Sequence, residues 1–157
     1  GRADGERARG RGGRGDDRSG GRSGDRSGGR RSGGARHPRR PLEAIRAACN
    51  YANTLYDLRR WEEARSMLHE TVPVSQRVLG ADHSLTIKIR WIYARALFAD
   101  PGATLDDMRE AVTTLEDTAR TARRVLGGAH PHATAIEDTL RKARAALRAR
   151  EAPPSHA

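Results

Sequence analysis

Asp82-His83-Ser84 sets the three side-chain types of a nucleophilic relay side by side. In such a relay the imidazole must reach the hydroxyl and the carboxylate in space, and three consecutive residues cannot meet that condition. His130 and His132 have the spacing of a two-ligand metal pair, but no recurring spacing places a third ligand. The acidic pairs Glu62-Glu63, Asp106-Asp107 and Glu116-Asp117 fall on expected helices or at their starts, where carboxylates favour the helix dipole or solvate a face. Cys49, the only thiol, excludes a disulfide framework and a cysteine-based zinc site. With no phosphate loop and no nucleophile beside a base, no catalytic residue, metal ligand or cofactor is assigned. His83 and His130 are expected to cap helices and pack a turn.

Basic charge is the other chemistry on offer, and its distribution is uneven. Of 157 residues, 28 are Arg and only 2 are Lys. Residues 1–40 hold 13 Arg, 13 Gly and 5 acids, with three alanines as their only hydrophobic residues. That composition cannot repay the entropy of ordering, so a disordered tail is expected there. Within it, Arg9-Gly10-Arg11-Gly12-Gly13-Arg14-Gly15 resembles an Arg-Gly box, and Arg9, Arg11 and Arg14 are candidate RNA contacts through phosphate charge and guanidinium stacking. The absence of interleaved aromatics, and Asp4, Glu6, Asp16, Asp17 and Asp25, weigh against that and for a plain leader. No apolar stretch approaches the roughly 18 residues of a membrane span, and the N-terminus has no apolar signal-peptide core. A cytoplasmic chain without membrane contact is expected, and Gly at position 1 points to processing or a fragment.

Helices must position whatever acts in the rest of the chain. Leu42, Ile45, Cys49, Ala52 and Tyr56 step by three and four, as do Leu105, Met108, Val112, Leu115, Ala119, Ala122 and Leu126, and Ala133, Ile136, Leu140, Ala143 and Leu147. Nothing alternates with a period of two. Gly80 and Gly127 suit left-handed C-terminal caps, Thr104 with Asp107 suits a capping box, and Pro131 suits a first helical turn. An all-α domain of five helices is predicted, at about residues 42–58, 61–79, 84–99, 104–126 and 131–149. Pro73 predicts a bend near His69–Pro73 in the second.

Arg77-Val78-Leu79-Gly80-Ala81-Asp82-His83 recurs 47 positions later as Arg124-Val125-Leu126-Gly127-Gly128-Ala129-His130. Upstream the offset is 42, carrying Tyr51, Ala52 and Leu55 onto Tyr93, Ala94 and Leu97. The difference falls at Asp100-Pro101-Gly102-Ala103, a longer loop in the second unit. A helical hairpin repeated head to tail is a solenoid unit. Asn50 to Tyr56, Trp61-Glu62-Glu63-Ala64 and the Leu-Gly-x-x-His turns together resemble the tetratricopeptide repeat of kinesin light chains. The expected domains are a tail over 1–40, a repeat domain over 41–150 (first repeat 41–83, second 84–130, end helix 131–150) and a disordered C-terminus over 151–157. Arg141 and Arg144 stand where the complete units have alanine and leucine, so the end helix is expected to present a polar face. Two and a half units are fewer than solenoids commonly need, which leaves a fragment, a homodimer or marginal stability as the alternatives.

The resemblance implies a non-catalytic adaptor or scaffold that holds a partner's peptide in a concave groove. Projecting the family's groove positions gives Arg46, Cys49, Asn53 and Tyr56 in the first unit, Lys88, Trp91, Arg95 and Phe98 in the second, and Asp138 and Lys142 in the end helix. Cations and aromatics facing one trough suit an extended acidic or aromatic-acidic peptide, with Trp91 as anchor. The carboxylate clamp of some tetratricopeptide domains is not expected, since Cys49 replaces its lysine and Ile92 an asparagine. The heptad segment that joins kinesin light chains to their motor is not found before the repeats, so motor assembly does not carry over. The rival reading is an RNA-associated protein that uses the Arg/Gly tail, with the repeats as a tether.

Overall fold

Ile45, Cys49, Ala52 and Leu55 are all buried in the computed structural model, which describes residues 39–153. They form the inner face of α1 (Arg39–Asp57), and α2 (Trp61–Leu79), α3 (Ser84–Ala99), α4 (Leu105–Leu126) and α5 (Pro131–Glu151) follow in successive hairpins. No strand occurs among the described residues. Arg9, Arg11 and Arg14, and with them the expected tail contacts and the C-terminus from residue 154, lie outside those residues. α1 starts three residues earlier than expected. Pro41 falls in its first turn, where a missing N–H leaves no helical bond unmade. α5 runs two residues further than expected, to Glu151, which accepts from Arg109 at 3.0 and 3.2 Å.

Packing follows the order of the chain: α1 against α2, α2 against α3, α3 against α4 and α4 against α5. First helices of successive units also meet, α1 with α3 and α3 with α5, so α3 touches every other helix. Its sequence anticipates that position. Thr86, Ile87, Ile89, Ile92, Tyr93, Ala94, Ala96 and Leu97 are all buried, and a helix apolar on nearly every side has to be enclosed. Ala52, Ala64, Ala94 and Ala111 are each completely buried, as expected for positions where the helices of a unit close on one another. A larger side chain there would force the helices apart in an interior packed as densely as a crystal.

The turns are built from repeated local devices. His83 and His130 are the N-caps of α3 and α5, and each Nδ1 accepts the N–H two residues on, Leu85 or His132, at 3.1 Å. Asp82 turns away from His83 and accepts two bonds from Arg124 at 2.6 and 2.9 Å, so the triad-like run separates into a cap and an ion pair. Gly80 and Gly127 hold φ of 92° and 91° as expected, but with ψ of 155° and 149° they lie outside the left-handed helical region foreseen for them. The chain there leaves the helix extended, a combination open almost solely to glycine. Thr104 and Asp107 form the expected capping box, with Thr104 N–H donating to Asp107 at 2.9 Å and Asp107 N–H to the Thr104 hydroxyl at 3.1 Å. The first hairpin turns without glycine: Arg59 takes φ of 60°. α2 is unbroken through Pro73. Pro73 and His69 are both exposed, so water can reach the His69 carbonyl that the proline leaves without an amide partner.

Two measurements check this account. Nothing lies within 4 Å of a Cβ built on Gly127, so Gly127→Ala has space but the wrong backbone, and denaturant unfolding is expected to show a loss of about 1–3 kcal/mol. The Thr104 N–H, the Thr104 hydroxyl and Arg65 together hold the Asp107 carboxyl below the ordinary range, against its desolvation. A depressed carboxylate stabilises the fold above its unfolded pKa of about 4 and loses that contribution as pH falls through the lower folded value. Asp107→Asn is therefore expected to lower stability at neutral pH and to flatten the decline below about pH 4. An unchanged acid limb in pH-dependent thermal melts would contradict the assignment.

Candidate functional site

Arg95 projects from α3 between two aromatic rings. Its guanidinium carbon lies 4.0 Å from the ring centroid of Tyr56 on α1 and 5.3 Å from that of Trp91 one turn back on α3. Both fall inside the ~6 Å reach of a cation–π contact. Trp91 is itself tethered: its indole N–H donates to the Thr139 hydroxyl on α5 at 2.9 Å, and Thr139 donates to the Ala135 carbonyl at 2.8 Å. The indole also lies 6.1 Å from the His132 ring. Side chains from all three first helices thus join a continuous run, Tyr56 on α1 to Arg95 and Trp91 on α3 to Thr139 on α5, across the α1–α3–α5 layer. Trp91 is half-buried, serving the packing of α3 on α5 while keeping part of its ring open.

Other expected groove positions divide by exposure. Arg46 is exposed and Lys88 half-buried, and among the described residues neither they nor Arg95 is paired with a carboxylate. Asn53 is half-buried and donates to Asp57 at 3.3 Å. Asp138 accepts from Lys142 at 2.7 Å and also pairs with Arg141, so the end helix offers one carboxylate shared by two cations in place of two separate charges. Phe98 is partly buried against the core. Cys49 is a correction. It is completely enclosed between helices, where a partner cannot touch it, and burial pushes its thiol above the ordinary range with Lys88 opposing. Its helical stepping with Ile45 and Ala52 already marked the inner face. Ile92 is also fully buried, so both positions where the carboxylate clamp fails are closed to ligand.

Thr139 was not foreseen, and only its position three residues after Ile136 on an amphipathic helix hinted that it faces α3. Two concavities were not foreseen either, and neither coincides with the α1–α3–α5 layer. One, of about 930 Å³, lies between α2 and α4 and is polar: Arg65 pairs with Asp107 at 2.8 Å and Tyr93 donates to Glu110 at 2.6 Å. Burial and Glu110 push the Tyr93 hydroxyl well above its ordinary range. The other, of about 540 Å³, runs between α4 and α5 and is lined by Arg120, Arg123, Arg141, Arg144 and Arg148 over Ala119 and Leu140. Enclosed volume suits a small molecule, whereas an extended peptide needs an open face carrying spaced anchors. Among the described residues no group of three or more His, Cys, Asp or Glu is placed to hold a metal ion, and no helix is long and apolar enough to cross a membrane.

Thr139→Val removes the acceptor of a half-buried indole N–H at constant shape. A loss of about 1 kcal/mol in urea unfolding is expected, with no change in helical content. Full stability in that variant would mean the tether is not made.

Residues 45–85 match the family model of the tetratricopeptide repeat, a span that covers most of the first hairpin and the turn into α3. No curated protein and no solved structure matches the chain. With the second hairpin tied to the first by the internal repeat, the described residues form an all-α helical-hairpin solenoid of tetratricopeptide type.

Proposed function

We propose that this solenoid is a non-catalytic protein-interaction module, an adaptor or scaffold that holds an extended acidic peptide of a partner across the α1–α3–α5 layer. Tetratricopeptide repeats generally mediate protein–protein interaction, and the Leu-Gly-x-x-His turns support a repeat of kinesin light chain type. The observation that carries the reading is Arg95, held between Tyr56 and Trp91 with no carboxylate of its own among the described residues. A cation ordered in advance loses little side-chain entropy on meeting a ligand carboxylate, and its flanking rings offer an apolar rim to an aromatic neighbour of that carboxylate. Lys88 and Arg46, the other cations expected in the groove, are likewise without a carboxylate partner among the described residues. The polar α2–α4 cleft and the α4–α5 trough stand outside this reading.

The test uses fluorescence anisotropy of the full chain with acidic peptides, their amide-for-carboxylate analogues and an RNA oligonucleotide. Acidic peptides are expected to bind and their neutral analogues not. Trp91→Ala or Arg95→Glu is expected to weaken binding roughly tenfold or more, while Gln at Arg9, Arg11 and Arg14 leaves it unchanged. The reverse pattern, RNA bound in preference and lost with the three Gln substitutions, would move function into the Arg/Gly segment and overturn the groove reading.

A further inference from the structure

α1 carries two apolar stripes, and only one is covered. Ile45, Cys49, Ala52 and Leu55 face the core, but Ala44, Ala47, Tyr51 and Thr54, with Leu58 in the turn just past the helix, also step by three and four and are all exposed, Tyr51 to 53% and Leu58 to 61%. The internal repeat shows what such a stripe is built for. With the 42-residue offset, Ala44, Ala47, Tyr51 and Thr54 correspond to Thr86, Ile89, Tyr93 and Ala96 on α3, every one of them buried. On α3 those positions lie beneath the first hairpin, with Thr86 donating to the Ser75 carbonyl at 3.4 Å and Tyr93 beside the His69 ring at 6.2 Å. On α1 nothing among the described residues covers them. Residues 1–38 carry no apolar side chain larger than alanine and proline.

We propose that the outer stripe of α1 is the interface of a two-fold dimer, covered by the same stripe of a second copy running antiparallel to it. The stripe is complementary to itself. An antiparallel pairing centred on position 49 sets the large Tyr51 of one copy on the small Ala47 of the other and Thr54 on Ala44, so that bulk meets methyl in both directions. The same register brings the exposed Arg40 at the start of one helix to Leu58 and Asp57 at the end of the other, laying its stem on leucine and its charge near a carboxylate. Between Ala44 and Thr54 the stripe itself carries no charge to desolvate. Head-to-tail stacking would instead set Tyr51 and Leu58 on the α4–α5 trough, where five arginines and Glu137 lie over Ala119 and Leu140 and no such reciprocal register is offered. Identical faces meeting across a two-fold axis close the assembly at two chains instead of opening a filament.

Sedimentation equilibrium of the full chain tests this. The expected mass is that of two 17.2 kDa chains. Ala47→Glu and Tyr51→Arg, both at exposed positions, are each expected to weaken the dimer roughly tenfold or more with unchanged helical circular dichroism. Mixing the two variants is expected to restore it, since position 47 of one copy then meets position 51 of the other as a Glu–Arg pair while the second contact stays native. Arg148→Glu in the trough is expected to change nothing. A native chain of single-chain mass up to millimolar concentration, a dimer indifferent to both substitutions, variants that do not complement each other, or an open-ended assembly would each overturn the proposal.

Discussion

Close approach of helix backbones over alanine is the constraint on which the structure depends. Ala52, Ala64, Ala94 and Ala111 are completely buried, at the positions where the repeat pattern brings first and second helices of a unit together. Alanine buries little area of its own, so the hairpins draw their cohesion from the larger residues that the close spacing lets meet, Leu55, Leu68, Leu97, Leu115 and the isoleucines of α3. A domain with this much alanine has little apolar area to spare. Successive helices must share it, and α3, apolar on nearly all sides, lies where the sharing is greatest.

The α1–α3–α5 layer inherits its geometry from that packing. Tyr56 belongs to α1 and Arg95 and Trp91 to α3, two helices in contact, and the Trp91–Thr139 bond brings in the third. The ion pairs on the outside do other work. Arg124 with Asp82 links α4 to the α2–α3 turn, and Arg123 with Glu137 and Arg144 with Glu116 link α4 to α5, but every pair is open to solvent and each is worth little in water. Their value lies in satisfying arginines that would otherwise crowd one another at the end of the stack.

Much of this was legible in the residues, for identifiable reasons. Helical stepping, glycine at the turns, and Thr104 with Asp107 act through local geometry, so helix bounds came within three residues of those observed. The internal repeat converted that local pattern into hairpins and their order. What stayed hidden depends on contacts between elements or on residues with no marked preference. Arg59 turns the first hairpin with a positive φ that nothing about arginine announces. Cys49 was projected into the groove by family position, although its own spacing with Ile45 and Ala52 placed it in the core. The stack of Arg95 between Tyr56 and Trp91 joins residues 39 positions apart and follows only from how α1 lies on α3.

Because α3 touches all four other helices while α1 and α5 touch two each, the array has a thermodynamic interior as well as a geometric one. Opening α5 gives up only its contacts with α4 and α3, and opening α1 only those with α2 and α3, whereas α3 cannot open without dismantling the rest. Native-state hydrogen exchange should therefore run as a gradient from the ends inward, with sub-global opening of the terminal helices and the slowest amides in α3. Such a gradient places Tyr56 and Thr139 on elements that loosen first and Arg95 on the one that loosens last, so a ligand bridging all three would slow exchange most at the two ends of the array.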